Sequence, residues 1–138
     1  MTVYVDTSVV LRVLLHEPNP VKLWGKWDRA CSSSLWRVEA LRIVDRLRLS
    51  GNLTDSDVAD LVGDIRVVDE TLSIRGLDSA IMQRACESFP TVLGTLDALH
   101  LATALAVNEL QALDSFLTHD VQLGTAARSV GFAVTGLE

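Results

Sequence analysis

The chain has 138 residues, 49% of them apolar and 22% charged. That suits one globular domain, residues 1–138, with enough length to bury a real core. No run reaches the ~18 uninterrupted apolar residues of a membrane span. Asp6 and Arg12 interrupt any signal-peptide pattern, so a cytoplasmic protein is expected. Net charge is −6, which argues against a broad electrostatic grip on nucleic acid. The two cysteines and three histidines form no zinc motif, and both Cys31 and Cys86 are expected in the core.

In chain order, Val3 to Val5 reads as a short buried strand. Asp6-Thr7-Ser8 follows with helix-capping chemistry, and Val9 to His16 is a short apolar helix stopped near Pro18 and Pro20. Val21 to Arg29 is predicted as a second helix carrying Trp24 and Trp27. Ala30 to Ser33 is a brief strand, and Ser34 is expected to cap an amphipathic helix from Leu35 to Leu49, ended by Ser50-Gly51-Asn52.

Thr54-Asp55-Ser56-Asp57 opens another helix with acids in its first turn, where the dipole favours them. Ile65 to Val68 is predicted as a strand, and Leu77 to Ser88 as a helix ended before Pro90. Thr95 is expected to cap a helix over Leu96 to Leu110. Phe116 to Thr118 is a strand, Val121 to Ser129 a helix, and Phe132 to Val134 a last strand. Strands alternating with helices imply right-handed crossovers and a parallel sheet, with ligands bound beyond the carboxyl ends of its strands.

Four acids fall at such ends or in early helical turns: Asp6, Glu39, Asp97 and Asp120. Each lies in or beside an apolar run. Burying several like charges together is costly unless a cation offsets the repulsion. Hard divalent ions such as Mg²⁺ and Mn²⁺ prefer oxygen ligands, and a carboxylate-held ion suits phosphodiester hydrolysis. Taken singly, Asp6 also reads as a helix cap, Asp120 as a turn residue before Val121, Asp97 as a partner of the helix dipole, and Glu39 as a solvated residue paired with Arg42 or Arg46. Those separate readings do not explain why all four meet at one predicted sheet edge.

Val5-Asp6-Thr7-Ser8-Val9-Val10, Glu39 on its amphipathic helix, Leu96-Asp97-Ala98-Leu99-His100-Leu101-Ala102-Thr103-Ala104 and Phe116-Leu117-Thr118-His119-Asp120 occur in one order over nearly the whole chain. In these motifs the chain resembles a PIN domain, and within that group the VapC-type toxins of toxin–antitoxin pairs. The resemblance implies an α/β, PIN-like three-layer sandwich, a short parallel sheet flanked by helices. It implies an endoribonuclease dependent on Mg²⁺ or Mn²⁺, with Asp6, Glu39, Asp97 and Asp120 as the catalytic and metal-binding quartet. Thr7, Ser8 and Thr118 fall where the family places supporting polar residues. The implied partners are RNA, a cognate VapB-type antitoxin, and a second copy of the chain in a homodimer or larger toxin–antitoxin assembly.

Arg12, Arg37 and Arg42 are candidate RNA contacts, set against their reading as solvated helix residues. His100 reads as a packed core histidine rather than a base, and His119 as facing solvent. Trp24, Trp27, Trp36 and Leu47 are core or interface residues. The alternatives are a flap-type DNA nuclease, a catalytically idle binding module, and a receiver-like α/β protein. The last is disfavoured because Lys22 and Lys26, the two lysines, both lie early in the chain.

Overall fold

In the computed structural model, which describes all 138 residues, everything is organised around the first strand. β1 (Thr2–Val5) buries Val3, Tyr4 and Val5 completely. It pairs in parallel with β2 (Arg29–Ser33) on one side and, from the second half of the chain, β4 (Ser115–Leu117) on the other. Tyr4 is therefore in register with both Cys31 and Phe116. β3 (Ser73–Arg75) extends the sheet beyond β2 and β5 (Val134–Thr135) extends it beyond β4. The order is β3-β2-β1-β4-β5, all parallel.

Alternation along β1 divides the core into two layers. Val3 and Val5 face α1 (Thr7–Leu14), α2 (Leu35–Leu49) and α3 (Asp55–Thr71), packing with Val9, Trp36, Ala40 and Ile65. Tyr4 faces the other way. It stacks on Phe116 at 5.0 Å between ring centroids and shares its layer with Leu101 of α5 (Thr95–Leu110) and Leu123 of α6 (Val121–Ser129). α4 (Ser79–Cys86) packs against α5. Helices on both faces of a parallel sheet make the α/β three-layer sandwich the sequence implied. No helix is long and apolar enough to cross a membrane.

Several elements differ from expectation. Residues Val21 to Asp28 form turns and bends, not a helix, with bonds from Trp24 N–H to Val21 O and from Lys26 N–H to Leu23 O, and Arg29 already belongs to β2. Gly25 at φ +73° and Asn19 at φ +58° break the repeat on either side of Pro20. Trp24 and Trp27 meet edge to face instead, against the core. Ile65 to Val68 is helical and lies within α3. Ile65 and Val68 belong to a helical stripe with the buried Leu61, while Val67 faces solvent, and a capping box formed by Thr54 and Asp57 opens the helix. The strand there comes later, as β3.

Neither Ser34 nor Thr95 caps with its side chain. Ser34 already has helical dihedrals, and the Ser33 hydroxyl accepts from Leu35 N–H at 3.1 Å. Gly94 occupies the cap position of α5, and Thr95 is its first helical residue. The last strand lies at Val134–Thr135 rather than starting at Phe132, which is buried in the second core layer. Cys31 is buried as expected, but Cys86 is exposed at the end of α4.

Candidate active site

Asp6 follows directly on β1, and its N–H still bonds to Leu117 O at 3.0 Å. It holds the cap position of α1, yet its side chain makes no capping bond. Its Oδ2 accepts instead from the Ser8 hydroxyl at 2.6 Å and the Thr118 hydroxyl at 2.9 Å. Oδ1 is left without a protein donor, 3.7 Å from His100 Nε2. The carboxylate is buried, with 5% of the residue exposed, so two local donors offset part of its desolvation.

Glu39 lies in the second turn of α2. Its Oε1 accepts from the Thr7 hydroxyl at 2.8 Å and from His100 Nε2 at 2.5 Å, leaving Oε2 free of protein donors. Burial would raise its carboxyl, but bonds from His100 and Thr7 and the attraction of His100 outweigh burial and hold it below the ordinary range. The expected pairing with Arg42 or Arg46 does not occur. Arg42 and Arg48 both bind Asp45.

Asp97 sits in the first turn of α5, half-buried, and accepts no hydrogen bond from the protein. Burial, then repulsion from Asp120 and Asp6, push its carboxyl up to about 6, with His100 partly opposing them. Asp120 is exposed and caps α6, its Oδ1 accepting from Leu123 N–H at 3.0 Å. Its own N–H donates to the Thr118 hydroxyl at 3.0 Å. Thr118 thus links two of the acids from a fully buried position.

All four acids, with Thr7 and Ser8, line one cavity of about 510 Å³ beyond the carboxyl ends of β1 and β4. Arg42 and Arg46 stand on its α2 wall with Val38 and Ile43. Arg12 and Arg37 do not line it. Arg12 lies near Glu17 and donates to Asn19 O, and Arg37 pairs with Asp69 at 2.7 Å. The same Asp69 carboxylate accepts from the indole N–H of the fully buried Trp36.

Three of the acids commit one oxygen to the scaffold and keep the other, and Asp97 keeps both. Carboxylate and hydroxyl oxygens are the donor set a hard divalent ion takes, and Asp97 is raised by burial first and by its acidic neighbours second. As they stand, no three His, Cys, Asp or Glu side chains close on one point to form a ready-made metal cage. The residues fit an ion that retains part of its water shell, as Mg²⁺ does.

Sequence reading underrated two residues here. His100 is fully buried, but it bridges to Glu39 rather than merely filling space. The signal was present in its spacing, one helical turn after Asp97 on the same apolar helix. His119 turns inward rather than to solvent, its Nδ1 2.7 Å from Gly136 O. Only the path of the C-terminal strand could have revealed that.

The fold and the site together define a class. The PIN domain family model matches residues 3–127, and the chain belongs to the PIN-domain family. Its relatives within that family are VapC proteins. It is 31% identical over 137 residues to Ribonuclease VapC47 of Mycobacterium tuberculosis, covering 94% of this chain and 93% of that one. It is 30% identical over 138 residues to Ribonuclease VapC46 of the same species, covering 96% and 95%. Among solved structures, it resembles VapBC2 from Rickettsia felis, a complex bound to a promoter DNA fragment. The TM-score is 0.67 at 13% identity, over 97% of both chains. PAE2754 from Pyrobaculum aerophilum gives a TM-score of 0.64 at 17% identity, over 97% of this chain and 83% of that one.

Proposed function

We propose that this chain is a VapC-type endoribonuclease, dependent on Mg²⁺ or Mn²⁺, that acts in the cytoplasm as the toxin of a toxin–antitoxin pair. The observation that carries this reading is the convergence of Asp6, Glu39, Asp97 and Asp120 on one cavity from four separate parts of the chain. The names of its M. tuberculosis relatives support RNA as substrate, and the R. felis complex supports a VapB-type antitoxin as partner. A homodimer and a larger toxin–antitoxin assembly are part of the same proposal.

Asp6 and Asp97 would hold the ion most directly, with Glu39 and Asp120 completing its shell through water. A bound ion would supply charge neutralisation at the phosphoryl group and a more acidic water. The protein's own groups divide the remaining work. Ser8 and Thr118 fix the Asp6 carboxylate, and Thr7 holds one oxygen of Glu39. Oε2 of Glu39 and the free oxygen of Asp120 can orient a water toward phosphorus. Hydrolysis adds that water across one P–O bond, giving a phosphomonoester and a hydroxyl. Arg42 and Arg46, on the cavity wall, are placed to meet neighbouring phosphates in an otherwise acidic site. Single-stranded loops, whose backbone is accessible, are the RNA form that suits this mouth.

The test is cleavage of total RNA by purified protein with added Mg²⁺ or Mn²⁺, set against an EDTA control and Asp97→Asn. Single-stranded and flap DNA serve as parallel substrates. Metal-dependent RNA cleavage lost in the variant is expected. Cleavage confined to DNA would reassign the substrate, and failure of the folded wild type to bind any divalent ion would overturn the reading.

A further inference from the structure

We propose that His100 is a positioning residue for Glu39, itself held by the Tyr4 hydroxyl, so that a buried Tyr4–His100–Glu39 chain sets the orientation of one acid at the cavity. This rests on the nuclease reading above and adds to it two residues outside the acidic quartet and its hydroxyl supports.

The geometry is continuous. His100 Nδ1 lies 2.8 Å from the Tyr4 hydroxyl, and its Nε2 lies 2.5 Å from Glu39 Oε1. Both Tyr4 and His100 are 0% exposed, so no bulk water competes for the contact between them. An ionised carboxylate can only accept, so Nε2 carries the hydrogen toward Glu39. In the neutral ring Nδ1 accepts from the Tyr4 O–H, and in the charged ring Nδ1 donates to the Tyr4 oxygen, so the contact holds in either state. The tyrosine therefore holds the ring with Nε2 toward the acid and, when the ring is neutral, favours the tautomer that serves it, a support typical of groups around metal-binding carboxylates. Tyr4 is itself rigid, lying in the central strand and stacked on Phe116. The Thr7 hydroxyl donates to the same Glu39 oxygen. Two donors on Oε1 turn Oε2 away from the scaffold.

The experiment exploits the reach of two amides. In His100→Asn the amide approximates Nδ1 and keeps the Tyr4 contact without reaching Glu39. In His100→Gln it approximates Nε2 and keeps a donor for Glu39. The expected result is that His100→Asn lowers kcat and Mn²⁺ affinity by about 10-fold to 100-fold with KM for RNA unchanged. His100→Gln should recover most of both, and Tyr4→Phe should show a smaller loss of the same kind. Equal losses in the Asn and Gln variants at matched folded fraction, or none in either, would overturn the proposal. Side-chain ¹⁵N NMR of the metal-free wild type provides a second reading. A protonated Nε2 whose resonance moves in Glu39→Gln and Tyr4→Phe is expected, and an Nε2 that carries no proton would refute the chain directly. Wild type that shows this signature but cleaves no RNA would fault the nuclease reading instead.

Discussion

Thr118 donates to Oδ2 of Asp6 across 112 residues of sequence, at 2.9 Å and out of contact with solvent. The same hydroxyl accepts from Asp120 N–H, so one threonine sets the orientation of one acid and the path of the chain into another. Replacing it with valine preserves shape and removes both functions. Thr118→Val should cost about 1–3 kcal/mol, the range for leaving buried partners unpaired, and should lower RNA cleavage by more than the loss of folded protein explains. Denaturant unfolding and cleavage at matched folded concentration check this.

Asp97 gives the clearest pH dependence. Its carboxyl titrates near 6 in the folded protein and near 3.8 as a free group. Between those values the folded state binds more protons, so this group's contribution to stability falls as pH rises from about 4 to 6. Metal-free protein should therefore melt at a higher temperature at pH 5 than at pH 7, as far as Asp97 governs the change. Asp97→Asn should be more stable than wild type at pH 7, lose that pH dependence and lose cleavage. Thermal melts in EDTA across pH 4–8 separate the outcomes. A variant less stable than wild type at pH 7 would contradict the shared acidic pocket.

Gly136 tests how far the last strand supports the site. Its φ is +116°, and a Cβ there would fall 2.3 Å from the Thr118 carbonyl oxygen. Gly136→Ala must displace backbone beside Thr118, and both stability and cleavage should fall. Gly131, at φ +103° with open space around it, is the control. Gly131→Ala should carry only conformational strain, on the order of 1–2 kcal/mol, with activity per folded molecule unchanged.

The arginines separate by partner. Arg46 lines the cavity and makes no ion pair, whereas Arg37 is tied to Asp69 away from it. Arg46→Ala should raise KM for RNA with little change in kcat and reduce the salt dependence of binding by about one counterion. Arg37→Ala should leave KM alone. Fluorescence-anisotropy titrations of a non-cleaved RNA at several salt concentrations distinguish the two.

The placement of Asp6, Asp97 and Asp120 was legible because each sits near a boundary that local patterning marks, whereas Glu39, in the second turn of α2, was legible through the resemblance. Apolar runs ending in Asp6 and shortly before Asp120, and a helix opening around Asp97, place carboxylates where parallel strands end. What could not be read locally was long-range or packing-dependent. Ile65 to Val68 has strand composition, but the stripe through Leu61 and Ile65 and the Thr54–Asp57 box make it helix. Val21 to Arg29 has helical composition, but the turn at Gly25 prevails. Ser33 rather than Ser34 receives Leu35 N–H, a difference set by where β2 hands the chain to α2. His100 looked like core and is buried, but its partners Tyr4 and Glu39 lie 96 and 61 residues away.

The placement of β1 between β2 and β4 has a consequence for when the protein becomes active. Asp6 and Glu39 come from the first third of the chain, whereas Asp97, Thr118 and Asp120 arrive on the far side of the sheet after β3 has been laid down. During synthesis the early strands can pair while the cavity still lacks half its acids and the hydroxyl that orients Asp6. On the nuclease reading, the nascent chain would carry an incomplete site until β4 leaves the ribosome and docks on β1.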